Sequence, residues 1–213
     1  MKILHTADWH IGPQPGPMVN GKNARALDTL RCVDDLITEA EQIKPDLVII
    51  AGDIFHVSKT WSERGISEVQ DAIERIEKLS RLAPVVAIQG TLNHDGSQHY
   101  EMLTRYFANN PKVHIYTQPG MNVIEALDGT QVAICALPGF DRGYWRAKNP
   151  GVDRIEENLT FSSALNDMII GMRAMTMEHP DAVSVLVGHY TVEGCNTESG
   201  HTILYLLFYL LYC

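Results

Sequence analysis

Short apolar segments alternate with amphipathic stripes along the first half of the chain. Residues 24–43 and 66–79 place apolar side chains at steps of three and four, which predicts two helices. Prolines and glycines predict a loop over residues 11–21. Three apolar segments beside these helices predict short buried strands, namely residues 2–7, 47–51 and 84–88. Strands that alternate with helices in this way favour an α/β fold.

The second half of the chain shifts toward antiparallel pairing. Residues 123–137 predict a hairpin that turns at Asp128-Gly129, the strongest short-range turn signal present. Further elements are predicted on both sides of this hairpin: helices over residues 98–108 and 153–178, and strands over residues 113–116 and 183–187. The sequence contains no internal repeat and no linker, so we expect residues 1–202 to form one domain.

Composition excludes a disordered or collagen-like chain, because 45% of the 213 residues are hydrophobic and 20% are charged. Residues 203–213 form an uncharged apolar tail of uncertain origin. This tail is shorter than the roughly 20 residues that a membrane-spanning helix needs. Three interpretations stay open for it: a buried strand or helix, an anchor at a membrane surface, or a frameshifted end that does not continue the domain.

Charge and cysteine usage limit the partners and the compartment. The formal net charge of −9 gives no general positive field, so any phosphate-bearing partner must be bound locally. The first residues lack the pattern of a secretory signal peptide, and we therefore expect a cytoplasmic protein with no membrane partner. The four cysteines form no C-x-x-C pair, which predicts reduced thiols rather than disulfides or a zinc knuckle.

Polar side chains that suit a metal follow the predicted strands. Each one alone is the kind of residue found in an ordinary turn or on a surface, but the carboxyl ends of strands are where α/β sheets present their sites. Carboxylate, imidazole and amide groups together suit Mn²⁺, Fe²⁺ or Zn²⁺. Two such ions about 3.5–4 Å apart clamp a phosphoester, and Asp53 is placed to bridge them. The candidate ligands are Asp8, His10, Asp53, Asn93 and His189.

Four short motifs together resemble the calcineurin-like metallophosphoesterase superfamily. They are D-x-H at 8–10, G-D-x-F-H at 52–56, N-H-D at 93–95 and G-H at 188–189. Within that superfamily, residues 2–12 and 189–192 are similar to the SbcD-type DNA exonuclease family, and the likeness extends over residues 1–198. The resemblance implies a four-layer αββα sandwich with two mixed sheets flanked by helices, incomplete at the C-terminus.

The resemblance also implies a role for each matched residue. Asp8 and His10 would bind one metal, Asp53 would bridge, and Asn93 and His189 would bind the other. The remaining implied roles belong to three further residues: His94 as general acid or transition-state stabiliser, Asp95 as the group that orients it, and His56 near the substrate phosphate.

Two departures from the family pattern bear on this site. Thr91-Leu92 is inserted between Gly90 and Asn93, where the family usually has Gly-Asn-His-Asp. The closing G-H-x-H motif is absent, and His201 is the only histidine after His189. We therefore expect a C-terminally truncated chain that stops before one ligand of each metal.

The favoured function is that of a metal-dependent phosphodiesterase and DNA exonuclease of SbcD type, which uses hydroxide activated by two metals, Mn²⁺ foremost, in DNA repair or recombination. The resemblance implies DNA and an SbcC-type ATPase subunit as partners, and a homodimer. Two alternatives are a catalytically impaired remnant or binding scaffold, and a phosphoesterase for a small nucleotide or a phosphoprotein. A basic and aromatic loop is either a DNA contact or a solvated loop, and comprises Arg142, Tyr144, Trp145, Arg146 and Lys148.

Overall fold

The computed structural model describes residues 1–57, 63–140, 146–147, 150–151 and 153–190, with only the backbone described at 63–66 and 154. These residues fall into two units. The first comprises residues 1–140 and 181–189, and the second comprises the remaining described residues from 146 to 180 and Tyr190.

The elements follow the order that the hydrophobic pattern predicts, and the α/β fold class is confirmed. The second unit contributes helix α4 (Arg154–Thr176). The first unit contains β1 (Ile3–Thr6), β2 (Met18–Val19), β3 (Lys22–Asn23), α1 (Ala24–Ile43), β4 (Leu47–Ile50), α2 (Glu63–Leu82), β5 (Val85–Ile88), α3 (Ser97–Phe107), β6 (Val113–Tyr116), β7 (Gly120–Glu125), β8 (Gln131–Leu137) and β9 (Val183–Gly188).

The first sheet joins four parallel strands in the order β1-β4-β5-β6. Ile49 of β4 lies opposite His5 of β1 and Val86 of β5. Parallel neighbours need a crossover connection, and α1, α2 and α3 provide the three crossovers. Because the four strands run in the same direction, their carboxyl ends meet at one edge, where the loops after β1, β4 and β5 gather.

Both faces of this sheet are covered by apolar side chains. Val48 and Ile50 of β4 point into a core that they share with α1, α2 and α3. Leu47 and Ile49 alternate with them and point into a second core shared with β7 and β8. All four residues are at most 4% exposed, which explains why β4 is a continuous apolar run rather than an alternating one.

The second sheet has the order β7-β8-β9 and is mixed, because β7 pairs with β8 antiparallel and β9 pairs with β8 parallel. The predicted turn at Asp128-Gly129 is confirmed: Gly129 has a φ of 85°, and the Asp128 carboxylate accepts a hydrogen bond from the Thr130 amide at 3.1 Å. The two expected sheets are present, and α1, α2 and α3 pack on the first of them. Only the second is mixed among the described residues, whereas the first contains parallel pairs.

Three local features differ from the predicted elements. Helix α2 begins at Glu63 and strand β7 at Gly120, each three residues earlier than the apolar pattern indicates. The predicted loop over 11–21 leads into β2 and β3, a hairpin of two-residue strands. Asn23 is the last residue of this hairpin. Its side chain accepts a hydrogen bond from the Ala26 amide at 2.9 Å and so caps the start of α1. Strands of two residues are too short to show a hydrophobic period.

The second unit begins α4 with a side-chain cap. The Asp153 carboxylate accepts hydrogen bonds from the amides of Ile155 and Glu156 at 2.8 and 2.9 Å. Arg146, one member of the predicted contact loop, donates to the Glu157 carboxylate at 2.8 Å within the same unit. The other members of that loop lie outside the described residues, namely Arg142, Tyr144, Trp145 and Lys148.

The predicted apolar tail over 203–213 also lies outside the described residues, as does His201. The expectation of one domain over 1–202 therefore stays a prediction. Among the helices that can be described, none combines the length and the apolar character needed to cross a membrane.

Glu68 of α2 is a buried acid with an unsatisfied oxygen. It is 7% exposed, and its Oε2 accepts no hydrogen bond from the described part of the chain. Burial, together with the nearby Asp71 carboxylate, raises the pKa of Glu68 to about 7 from its ordinary 4.5. Folding therefore favours the protonated acid. This stabilisation is fully present below about pH 4.5 and is lost as the pH rises through about 7.

We predict that Glu68→Gln raises the free energy of unfolding above pH 7 by about 1–3 kcal/mol and changes it little near pH 4, because the amide cannot ionise. Urea denaturation between pH 4 and pH 8 measures this difference. Glu74→Gln, at an exposed acid on the same helix, is the matched control and should leave the profile unchanged. Parallel pH profiles for the wild type and Glu68→Gln would contradict the prediction.

Candidate metal centre

The loops that follow β1 and β4 run side by side and continue the pairing of their strands. The Asp8 amide donates to the Gly52 carbonyl and the His10 amide donates to the Asp53 carbonyl, each at 3.0 Å. Ile11 then extends the ladder in the same direction. These bonds place the D-x-H motif directly beside the G-D motif at the carboxyl edge of the parallel sheet.

Three candidate ligands share an uncommon backbone conformation. Asp8, His10 and Asp53 have φ angles of 55°, 50° and 52°. A residue other than glycine costs roughly 1–3 kcal/mol in such a conformation unless the surroundings impose it, and residues of this kind cluster at functional sites. The backbone ladder between the two loops imposes it here.

Two overlapping clusters of ligand atoms result. Asp8, His10 and Asp53 each offer one ligand atom, and these atoms all lie within 4.8 Å of one another. The same holds for His10, His56 and His94, so His10 belongs to both clusters. The rings of His10 and His94 meet edge to face with centroids 4.6 Å apart. The structure thus brings together residues from three of the four sequence motifs.

The fourth motif reaches Asp53 through His189 at the end of β9. The His189 Nε2 lies 3.3 Å from the Asp53 Oδ2, while its Nδ1–H donates to the Ala51 carbonyl at 2.6 Å. The hydrogen bond to Asp53 raises the pKa of His189 to about 9, against the opposing effect of burial. Burial would raise the pKa of Asp53, but the bonds from His189 and Thr91 outweigh it and hold that pKa below its ordinary value.

Thr91 contacts the carboxylate of Asp53, the predicted bridge. The sequence alone did not indicate this contact. Its amide donates to the Asp53 Oδ1 at 2.7 Å, and its hydroxyl donates to the same oxygen at 3.0 Å. Thr91 directly follows Gly90, and in the family pattern the residue after this glycine is the asparagine. That position is the one sequence signal that could have pointed to Thr91 as a site residue. Asn93 lies two residues further on in a turn, and it is exposed. Its assignment as a metal ligand stays a prediction.

His94 and His56 are held close together. The His94 Nδ1–H donates to the His56 carbonyl at 2.5 Å, which leaves the His94 Nε2 free to face a substrate or a metal. Burial and the neighbouring rings of His10 and His94 lower the pKa of His56. A neutral imidazole is therefore favoured at His56 in the folded chain.

Asp95 makes a different set of contacts from the orienting role predicted for it. It is fully buried, and its carboxylate accepts from the amides of Phe55 at 3.0 Å and Gly90 at 2.7 Å. Burial raises its pKa to about 6, although both amide bonds act in the opposite direction. Asp95 therefore ties the loop after β4 to the loop after β5. Its predicted action on His94 is a proposal that these contacts leave open.

Comparison with known proteins agrees with this arrangement. A family model described as calcineurin-like phosphoesterase matches residues 1–208. The chain belongs to the calcineurin-like phosphoesterase family. A curated relative, the SbcD subunit of the nuclease SbcCD of Staphylococcus epidermidis, is 30% identical over an alignment of 201 residues that covers 92% of this chain and 48% of that protein. The chain thus spans about half the length of this relative.

Calcineurin-like phosphoesterases use divalent metal ions, and the clustered side chains suit one. The Nδ1 atoms of His10 and His56 are buried and have no hydrogen-bond partner in the described part of the chain. The carboxylates of Asp8 and Asp53 lie beside the His10 ring. A set of imidazole and carboxylate groups without a thiolate is typical of sites for Mn²⁺, Fe²⁺ or Zn²⁺.

Two glycines, Gly52 and Gly90, allow the segments around Asp53 to pack closely against one another. A Cβ built on Gly90 would lie 2.3 Å from the Asp53 amide nitrogen and Oδ1, and one on Gly52 would lie 2.7 Å from the His189 Nδ1. Real side chains do not tolerate such distances, so only glycine fits at either position. The close packing brings Asp53 against both the loop after β5 and the end of β9.

We predict that Asp53→Asn weakens Mn²⁺ binding by at least about 100-fold, since it removes a negative charge that lies beside both His10 and His189 while keeping the oxygen that accepts from Thr91. Equilibrium dialysis and the metal-induced rise in melting temperature both measure this affinity. Asp35→Asn, at an exposed acid on α1, is the control. Equal affinities for the wild type and Asp53→Asn would show that this cluster is not the binding site.

We also predict that Gly90→Ala lowers the free energy of unfolding by about 1–3 kcal/mol and weakens metal binding, because the added Cβ displaces Asp53. Chemical denaturation and dialysis report the two effects. Gly120→Ala, where a Cβ meets nothing within 4 Å, should change neither. If the two alanine variants behave alike, the close approach of these loops does not constrain the site.

Proposed function

We propose that the chain provides the phosphodiesterase activity of a DNA exonuclease of SbcD type, in DNA repair or recombination. The observation that supports this most is the meeting of Asp8, His10 and Asp53 with His56 and His94 at one sheet edge. The relative that is named as a nuclease subunit favours DNA over other phosphoesters.

Two divalent ions, Mn²⁺ foremost and Fe²⁺ or Zn²⁺ as alternatives, would be held by the ligands expected from the sequence. Asp8 and His10 would hold one ion, Asn93 and His189 would hold the other, and Asp53 would be shared between them. When bound, such ions act as Lewis acids that activate water and neutralise phosphate charge. The Nδ1–H bond of His94 leaves the Nε2 atom of that ring available at the site, whereas the His189 Nε2 would exchange its hydrogen bond with Asp53 for a metal.

The histidines that bind no metal would act on the substrate itself. His94 donates a proton from Nε2 to the leaving oxygen, or stabilises the charge that develops on the phosphate. His56 contacts a phosphate oxygen beside it, and its ring lies 5.9 Å from that of His94. Asp95 acts through the loops, because its bonds to the Phe55 and Gly90 amides set the positions of both segments.

Charge supports the partners that this function implies. Contacts by lysine and arginine normally supply the affinity for DNA, and a chain of net charge −9 has few to spare. We therefore propose that an SbcC-type ATPase subunit and a second copy of this chain contribute to DNA binding, and that the protein acts in the cytoplasm. A binding measurement with the ATPase subunit tests the first of these partners, and a tight complex is the expected result.

One observation favours a second candidate, a catalytically impaired binding scaffold. The Asp53 carboxylate, which is needed as the bridge, accepts two bonds from Thr91 on its Oδ1. A metal would have to replace or share them. This candidate predicts a folded chain that binds metal weakly and hydrolyses no phosphodiester.

We predict Mn²⁺-dependent hydrolysis of bis(p-nitrophenyl) phosphate and of linear duplex DNA by the wild-type chain. Asp53→Asn and His94→Ala should each lower the rate by about 10²–10⁴-fold, since the first removes a metal ligand and the second a proton donor. His179→Ala, at an exposed histidine of the second unit, is the control. A folded wild-type chain with no activity on either substrate supports the scaffold instead.

A further inference from the structure

A cavity of about 500 Å³ lies against the candidate metal centre. Asp8 and His10 form part of its wall, so the cavity and the centre share two residues. The volume falls within the range of roughly 300–1,000 Å³ that is typical of small-molecule sites. The opposite wall comes from α1 and includes Arg25, Asp28, Thr29 and Cys32.

Among the described residues that line the cavity, Arg25 is the only lysine or arginine. It is exposed, and it forms no ion pair with any described residue. Asp28, the acid nearest to it along the helix, is paired with Arg31 instead. A guanidinium without a carboxylate is placed to bind a phosphate, for which its planar fork of donors is suited.

The wall around Arg25 is preorganised by contacts within the protein. The Gln14 side chain donates to the His10 carbonyl and to the Thr29 hydroxyl, both at 3.2 Å, and so fastens the loop after β1 to α1. The aliphatic stem of Arg25 packs on Gly16, where a Cβ would lie 2.7 Å from the arginine Cγ. The stem is thus fixed while the charged end stays free.

We propose that this cavity is the subsite for the nucleotide next to the scissile phosphodiester, and that Arg25 binds the outer phosphate of that nucleotide. The inference rests on the proposed function. A phosphodiester held at Asp8 and His10 continues into the cavity, because the same residues line both. In a chain with a net charge of −9, Arg25 is a local attraction for the flanking phosphate.

The test uses the dinucleoside monophosphate TpT and its derivatives with an added terminal phosphate at the 5′ or the 3′ end. One of the two added phosphates should lower the KM of the wild type by about 10–100-fold, the effect expected of a hydrogen-bonded charge. In Arg25→Met, which keeps the stem on Gly16, the KM values with and without that phosphate should become equal.

Two further variants separate charge from packing. Arg25→Lys keeps the charge and should restore part of the difference in KM. Arg105→Met, at an exposed helical arginine that does not line the cavity, should keep the whole difference. A difference that survives in Arg25→Met would overturn the assignment of Arg25.

Cys32 provides a measurement that needs neither metal nor turnover. It is an exposed free thiol in the cavity wall, so bound nucleotide should slow its alkylation by iodoacetamide. Peptide mass spectrometry on chelator-treated protein follows this residue alone. The terminally phosphorylated dinucleotide should protect Cys32 in the wild type and not in Arg25→Met.

The outcomes distinguish the inference from the function on which it rests. Hydrolysis of TpT with no KM benefit from either added phosphate would overturn the subsite and support the nuclease. Absence of hydrolysis, with protection of Cys32 that depends on Arg25, would support the subsite and overturn the nuclease. Equal protection in the wild type and Arg25→Met would overturn the subsite.

Discussion

The candidate site depends on the backbone pairing between the loops that follow β1 and β4. This pairing extends a parallel register in which Thr6 lies opposite Ile50, and it continues as bonds from Asp8 to Gly52 and from His10 to Asp53. A register slip of one residue would turn each side chain to the opposite face. The sheet therefore shapes the candidate site directly, because it holds three candidate ligands in a backbone conformation that they would seldom adopt alone.

Two buried carboxylates have different roles within this frame. Asp53 receives hydrogen bonds from His189 and Thr91, and these keep its pKa low despite burial. Asp95 is more deeply buried, and its pKa is raised to about 6 even though two amides donate to it. The first is suited to remain charged beside a cation. Asp95 joins two loops, so its removal would disturb the histidines indirectly, through the positions of those loops.

Within the described residues, the loop after β5 departs from the family's pattern. The insertion of Thr91-Leu92 puts a threonine on the Asp53 carboxylate and carries Asn93 out to an exposed turn. Asp95 nevertheless bonds to the Gly90 amide, so the end of the loop returns to the sheet. The tightness of the loop is set by Gly90, where no side chain would fit beside Asp53.

The sequence alone determined the family, the helices and all the described strands except the two-residue β2 and β3. Buried strands and amphipathic helices leave periods that the local pattern reveals, and the motifs follow strand ends. It also predicted that Asp8, His10, Asp53 and His189 belong to one site, and the structure brings these four together. Only the tertiary structure decided that Thr91 contacts Asp53, that Asp95 bonds to two amides, and that an unpaired Arg25 lines a cavity beside the centre. These contacts join residues far apart in the chain or lie within irregular loops, where no period constrains them. Their geometry therefore emerges only when the parallel sheet brings the loops together.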